Sequence, residues 1–198
     1  MFTRTESFKE FLRYYPVVST IVSIHIVLYL FTIIPFIPNL WLFEHFAGVN
    51  LYIVEGEYWR LFTPIFIHNG FAHMLFNSFS LVLFGPALEQ LIGKGKFIII
   101  YLTAGIAANI ATLIIEPLTY IHVGASGAIF GLFGFFMAMI LFKKSKLSAA
   151  NSQLIITITV IGVLMTFLQP NINIIAHLFG LLAGFLIGSV LLSDKKRG

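Results

Sequence analysis

Six long apolar runs divide the chain, and each is separated from the next by a more polar segment. Each run has about the 20 mostly apolar residues that a helix needs to cross the hydrocarbon layer of a bilayer. Their β-branched and aromatic residues do not predict strands, because an open sheet would leave backbone groups unpaired in lipid. We therefore predict an all-α, polytopic membrane protein with six transmembrane helices. The predicted spans, numbered one to six, are 17–36, 72–92, 97–115, 126–142, 149–168 and 174–192.

The composition supports this class and excludes others. Hydrophobic residues make up 59% of the 198 residues and charged residues only 10%, with a mean hydropathy of +0.97, which is outside the range of soluble domains. Six spans occupy about 120 residues, so we expect a single domain over residues 1–198. The absence of cysteine excludes disulfides, thiolate catalysis and cysteine-based metal centres. We expect no cofactor and no metal ion.

The positive charges predict an orientation. The net charge is +4, but the basic residues form short clusters between apolar runs, which indicates membrane topology rather than nucleic-acid binding. Eleven of the twelve basic residues fall on one side, so the positive-inside rule predicts cytoplasmic N- and C-termini. The short loops favour a bacterial cell membrane. The eleven are Arg4, Lys9, Arg13, Lys94, Lys96, Lys143, Lys144, Lys146, Lys195, Lys196 and Arg197.

The segment 37–71 is the only long loop, and it falls on the outer side together with the remaining basic residue, Arg60. Its aromatic residues leave two interpretations open: a segment that lies on or partly in the membrane, or an ordinary aromatic belt. The aromatic residues are Trp41, Phe43, Phe46, Tyr52, Tyr58 and Trp59.

Four polar side chains fall near the outer ends of three spans. His73 and Asn77 lie in the first two turns of span two, and their four-residue separation places them on one face. Ser126 begins span four, and His177 lies about one turn into span six. Since a helix rises about 1.5 Å per residue, Ser126 and His177 have nearly the same predicted depth.

Glycine stripes predict that spans four and six touch, because small residues let helix backbones approach closely in lipid. Ser126 directly precedes one stripe and His177 lies three residues before the other, so this contact would bring the hydroxyl and the imidazole together. Histidine is suited to accept the proton of a serine nucleophile, and we interpret the pair as a catalytic dyad. The stripes are Gly127, Gly131 and Gly134, and Gly180, Gly184 and Gly188.

Acyl transfer also needs hydrogen-bond donors for the oxyanion. His73, Asn77 and the main-chain N–H of Ser126, at a helix N-terminus, are the candidates. The only acidic residue deep in a span is Glu89, near the cytoplasmic end of span two, so we expect a dyad rather than a triad. Because the nucleophile lies below the outer surface, the expected partners are the lipid bilayer and transmembrane protein substrates.

Two simpler interpretations stay open at this stage. A serine in a span often bonds back to its own helix, and glycine stripes often serve packing alone. The outer histidines could also indicate a proton conduit or a metal transporter, with His68, His73 and His177 as ligands. A conduit must continue through the inner half, where the spans offer only Glu89.

These residues resemble the rhomboid family of intramembrane serine proteases over nearly the whole chain. The resemblance implies that Ser126 and His177 form the dyad and that His73 and Asn77 help bind the oxyanion. It also implies structural roles for Trp59, Arg60 and Glu89. The segments that carry it are Glu57-Tyr58-Trp59-Arg60, His68 with His73 and Asn77, Gly124-Ala125-Ser126-Gly127, and Ala176-His177 with Gly180 and Gly184.

One position departs from the family pattern. Many members have a tyrosine four residues after the nucleophile, whose ring packs on the histidine, whereas this chain has Phe130. The aromatic face is kept and the hydroxyl is lost. Some relatives are non-catalytic and bind transmembrane clients, but they typically lose the serine or the histidine, and this chain keeps both.

Overall fold

The computed structural model describes residues 2, 5–34, 39–143 and 147–193. Within this part of the chain, long helices account for the predicted spans, and short elements fill the outer loop. The helices are α1 (Phe8–Tyr14), α2 (Pro16–Ile33), α3 (Asn39–Phe46), α4 (Asn50–Val54), α5 (Phe71–Ile92), α6 (Lys94–Ile115), α7 (Ser126–Phe142), α8 (Ala149–Leu168) and α9 (Ile174–Ser193). Two short strands, β1 (Gly48–Val49) and β2 (Ile121–His122), pair antiparallel.

The predicted all-α membrane class is confirmed. Five helices, α2, α5, α6, α8 and α9, are long and apolar enough to cross a membrane, and α7 is a shorter apolar helix of 17 residues. At about 1.5 Å per residue α7 is roughly 25 Å long. Twelve of its 17 residues are buried in the described part of the bundle, so most of its surface contacts protein rather than lipid.

Most predicted span limits lie within one residue of the observed helix ends. Helix α6 begins three residues before its predicted start, at Lys94 rather than at residue 97, because Lys94 and Lys96 lower the hydropathy of its first turn. Gly93, at φ 82°, ends α5 and directly precedes α6. The helix α2 ends at Ile33. The expected end of span one at residue 36, the loop start at 37, and Arg4, Lys144, Lys146, Lys195, Lys196 and Arg197 lie outside the described residues.

The centre of the bundle is a contact between α7 and α9 at backbone distance. A Cβ added to Gly180 would collide with the carbonyl oxygen of Gly127, and a Cβ added to Gly184 would collide with that of Gly131. The paired positions advance together along both helices, so α7 and α9 run parallel. The predicted contact between spans four and six is confirmed, and its cause is the absence of side chains at these glycines.

Helix α6 packs against both α7 and α9. Ala108 packs on Gly127 and Ala104 packs on Gly131, and because the order of these pairs is reversed along α6, this helix runs antiparallel to α7. Three tightly packed helices, α6, α7 and α9, therefore form the core, while α8 contacts it more sparsely.

Arg60 organises the outer loop. Its side chain is buried, with 3% exposed, and its guanidinium donates to the carbonyl oxygens of Ala47 and Glu44 and pairs with the Glu57 carboxylate. Trp59 donates its indole N–H to the carbonyl oxygen of His45. Multiple charge-assisted hydrogen bonds make this loop a folded part of the domain.

Glu89 lies beside the start of α2. Its carboxylate accepts hydrogen bonds from the backbone N–H groups of Val17 and Val18, at 3.0 and 2.9 Å. These N–H groups have no partners within their own helix, and a negative charge is favourable at a helix N-terminus. The carboxylate thus joins the ends of α5 and α2.

Candidate active site

Ser126 is the first residue of α7, and the loop before it is held by hydrogen bonds. The Gly124 N–H donates to the carbonyl oxygen of Pro64 at 2.8 Å, and the Ala125 N–H donates to His68 Nε2 at 3.4 Å. Within the described part of the chain the Ser126 hydroxyl makes no hydrogen bond. The side chain is half-buried and does not bond back to its own helix.

His177 lies in the first turn of α9 and is held on two sides. Its ring stacks on Phe130, with centroids 4.1 Å apart and planes inclined by 16°. Its Nδ1 is hydrogen-bonded to Thr166 Oγ1 of α8 at 2.8 Å. Only 8% of the residue is exposed. Phe130 therefore supplies the aromatic face against the histidine without a hydroxyl.

The contact between α7 and α9 brings these two residues to the same level. A Cβ on Gly127 would lie 3.5 Å from the carbonyl oxygen of Ala176. Ser126 and His177 are the immediate neighbours of these two residues, and both lie in the first turn of parallel helices. The hydroxyl and the imidazole therefore belong to one end of one helix pair.

His73 and Asn77 enter from α5. The His73 ring lies against Gly124, where a Cβ would meet Nε2 at 2.5 Å, so it reaches the loop two residues before Ser126. Asn77 is buried and donates one amide N–H to the carbonyl oxygen of His73 at 2.8 Å. Its amide has a second N–H.

Three further residues support this site through contacts that sequence reasoning did not predict. Thr166 carries no signal that separates it from the other threonines of span five. Asn173 accepts from the Ala176 N–H at 2.8 Å and donates to Thr112 at 2.9 Å, so it caps α9 just before His177, and its position before the apolar run was a usable signal. His25, in the middle of α2, contacts His68 with centroids 4.6 Å apart.

Several histidines near the outer end of the bundle contact one another through their rings. Among the described residues no group of three or more His, Asp or Glu side chains is arranged to hold a metal ion. His68 contacts His73 through its ring, at 5.1 Å between centroids. Burial, and then the neighbouring His25 and His73, lower the pKa of His68 to about 2, so it is a neutral acceptor for the loop before Ser126.

Comparison with known proteins agrees with this architecture. A family model described as the Rhomboid domain matches residues 55–194. The chain is 48% identical over 197 residues to "Putative rhomboid protease YdcA" of Bacillus subtilis (strain 168), covering 100% of this chain and 99% of that protein.

Two further relatives are longer than this chain. It is 39% identical over 145 residues to "Rhomboid protease GluP" of Bacillus subtilis (strain 168), covering 73% of this chain and 28% of GluP. It is 31% identical over 193 residues to "Rhomboid-like protease 1" of Toxoplasma gondii, covering 89% of this chain and 66% of that protein. With most of its length matched by the family model and one relative matched from end to end, the chain belongs to the rhomboid family of intramembrane proteases.

Proposed function

We propose that the protein is a serine endopeptidase that cleaves transmembrane segments of other membrane proteins near the outer face of the cell membrane. Ser126 is the nucleophile and His177 is the general base and acid. The observation that carries the proposal is the close contact of α7 and α9 at Gly127 and Ala176. Next to these two residues stand a serine, whose hydroxyl makes no hydrogen bond among the described residues, and a histidine that is held by Phe130 and Thr166.

The chemistry follows from these two groups. The His177 ring nitrogen that faces away from Thr166 takes the Ser126 proton while Oγ attacks the scissile carbonyl carbon. The imidazolium then gives this proton to the leaving amine, and an acyl ester remains on Ser126. Water, deprotonated by the same histidine, hydrolyses the ester, and the proton returns to Ser126 as the carboxyl product leaves.

The oxyanion needs hydrogen-bond donors near the N-terminus of α7. The Ser126 N–H lies at the start of α7, where N–H groups have no intrahelical partner. The second amide N–H of Asn77 and the ring of His73 are the side-chain candidates. Each well-placed donor of this kind contributes roughly 10²- to 10³-fold in rate.

The substrate follows from the position of the site. A transmembrane helix pairs its own carbonyl groups, so a segment must unwind locally before Ser126 can attack, which favours helix-weakening glycine or proline near the cut. The orientation that fits the positive-inside rule has cytoplasmic termini and the α7 N-terminus toward the outside. Cleavage then occurs near the outer face.

The test is cleavage of a tagged single-span substrate by the purified protein in proteoliposomes, with mass determination of the products. Ser126→Ala and His177→Ala should each reduce cleavage to the background, since each removes a group that bonds to or exchanges a proton with the substrate. Ser189→Ala is the matched control, because Ser189 bonds back to Phe185 within α9 and should keep full activity.

A serine-directed fluorophosphonate separates this function from that of a non-catalytic binder of transmembrane clients. Labelling that requires both Ser126 and His177 supports the protease. Cleavage that persists in Ser126→Ala contradicts the assigned nucleophile, and a folded parent protein that neither cleaves nor labels contradicts the enzyme.

A further inference from the structure

Thr166 makes a polar contact between α8 and the proposed dyad. The residue is buried, with 1% exposed, and its Oγ1 lies 2.8 Å from His177 Nδ1. The same oxygen donates to the carbonyl oxygen of Gly162, one turn earlier in α8, also at 2.8 Å.

The two hydrogen bonds of Thr166 bear on which ring nitrogen of His177 carries the proton. A threonine hydroxyl has one proton to donate, and the Gly162 carbonyl, which can only accept, takes it. In this arrangement Thr166 Oγ1 accepts from His177, and Nδ1 carries the ring proton. In a neutral imidazole the other nitrogen, Nε2, then holds the lone pair, which is the form that a general base needs.

The same turn of α8 also supports the stacked ring. Gly162 lies against Phe130, where an added Cβ would approach the ring to 3.3 Å. Helix α8 has few other buried side chains in the described part, namely Ile155 and Thr159. One turn of a sparsely packed helix thus contacts both Phe130 and His177.

We propose that Thr166 is a positioning residue that sets the tautomer and the ring orientation of His177. This inference rests on the proposed function. In a Ser–His–Asp triad a buried carboxylate holds the histidine in this way. A threonine that donates its hydroxyl proton to a carbonyl oxygen can accept from the histidine as the carboxylate does, but it carries no charge. It avoids placing a further charge within a membrane-spanning bundle, where ionised side chains are costly.

The decisive variant is Thr166→Val, which keeps the shape of the side chain and removes the acceptor. We expect kcat for the single-span substrate to fall about 10-fold with KM changed less than about 2-fold, because a buried donor loses its partner and the base is no longer held in one tautomer. Fluorophosphonate labelling should slow in parallel. Thr166→Ser, which restores the hydroxyl, should return kcat to within about 3-fold of the parent.

Thr159→Val is the matched control. Thr159 is buried in the same helix, and its hydroxyl has no hydrogen-bond partner among the described residues. The same substitution there should leave kcat unchanged. Thermal unfolding of each variant checks that the proteins are folded.

The tautomer is read directly from the ¹⁵N chemical shifts of the His177 ring in labelled parent protein at neutral pH, assigned by their loss in His177→Asn. The proposal expects a protonated Nδ1 and an unprotonated Nε2, with the Nε2-protonated tautomer rising in Thr166→Val. A parent protein with Nε2 protonated overturns it, as does Thr166→Val with the kcat of Thr159→Val. This spectrum needs no proteolysis, so an inactive parent would refute the proposed function while the spectrum still tests the tautomer.

Discussion

At the scale of single residues, the polar side chains around Ser126 make hydrogen bonds to neighbouring groups. Thr166 donates a hydrogen bond to the Gly162 carbonyl, Asn77 donates one amide N–H to the His73 carbonyl, and His68 accepts from the loop before Ser126. The Ser126 hydroxyl is left without a partner in the described structure. A serine hydroxyl that does not hydrogen-bond to its own helix is available to donate its proton to a base.

Gly124 gives a residue-scale prediction. Its φ of 118° disfavours any side chain, and a Cβ there would also collide with the His73 ring. Gly124→Ala should therefore lose about 1–3 kcal/mol of stability and should also lower the cleavage rate at least 10-fold, because His73 is displaced from the site. Cleavage assays and thermal unfolding measure the two effects.

Gly93→Ala is the control for this variant. Gly93 also has a positive φ, 82°, but no neighbouring atom lies near its Cβ position. It should lose similar stability and keep cleaving the substrate. Equal activity of the two folded variants would contradict the role given to the contact between Gly124 and His73.

At the scale of elements, helices meet at very different distances. The backbones of α7 and α9 touch through Gly127, Gly131, Gly180 and Gly184, whereas α8 is attached mainly by a few side chains. Close backbone packing supplies van der Waals contact that lipid cannot replace. The proposed dyad therefore belongs to the most closely packed helix pair of the described bundle, and Thr166 belongs to the least buried of the five candidate membrane spans.

Gly184 tests this packing. Gly184→Ala should destabilise the protein by about 1–3 kcal/mol through overpacking, because the new methyl group meets the carbonyl oxygen of Gly131. Gly95→Ala in α6 meets open space and should be neutral or stabilising by up to about 1 kcal/mol, since alanine favours helix. Unfolding in mixed micelles compares the two, and equal stabilities would refute the contact.

At the scale of the whole molecule, the outer loops form one connected layer. Asn50 donates to carbonyl oxygens at the end of α6, including that of Pro117 at 3.0 Å, and β1 pairs with β2. His122 of β2 packs its ring against Gly48 of β1. The loop before α5 and the loop before α7 are thereby fixed to each other, and with them the approach to Ser126.

The burial of His122 predicts a pH dependence of stability. Burial lowers the pKa of His122 from 6.5 to about 4. Between these pH values the unfolded chain therefore binds a proton at His122 and the folded protein does not. The free energy of unfolding should therefore be highest above about pH 6.5 and should fall as the pH drops toward 4, by about 3 kcal/mol from this group. Thermal unfolding between pH 7.5 and 5 measures the change.

His122→Gln should weaken this pH dependence, while the buried His68 maintains part of it. His45→Gln, in the same outer layer but with an exposed side chain, should leave the dependence as in the parent protein. If the parent protein is equally stable at both pH values, His122 is not buried in its neutral form.

The sequence by itself determined the class, the spans and the family, because hydropathy over about 20 residues, glycine spacing and short motifs are local properties of the chain. The same locality explains the errors: Lys94 and Lys96 lowered the hydropathy of the first turn of α6, and no local pattern showed that most of α7 is buried. Glu89 and Arg60 stood out as polar residues, but their partners did not.

Only the tertiary structure decided which groups meet. Thr166 and His177 are 11 residues apart on different helices, and His25 and His68 come together from α2 and the outer loop. Such contacts depend on the lateral order and rotation of helices, which are set by packing over the whole bundle. For this reason the sequence could indicate a serine and a histidine at one depth, while the acceptor that fixes the histidine proton became visible only in the fold.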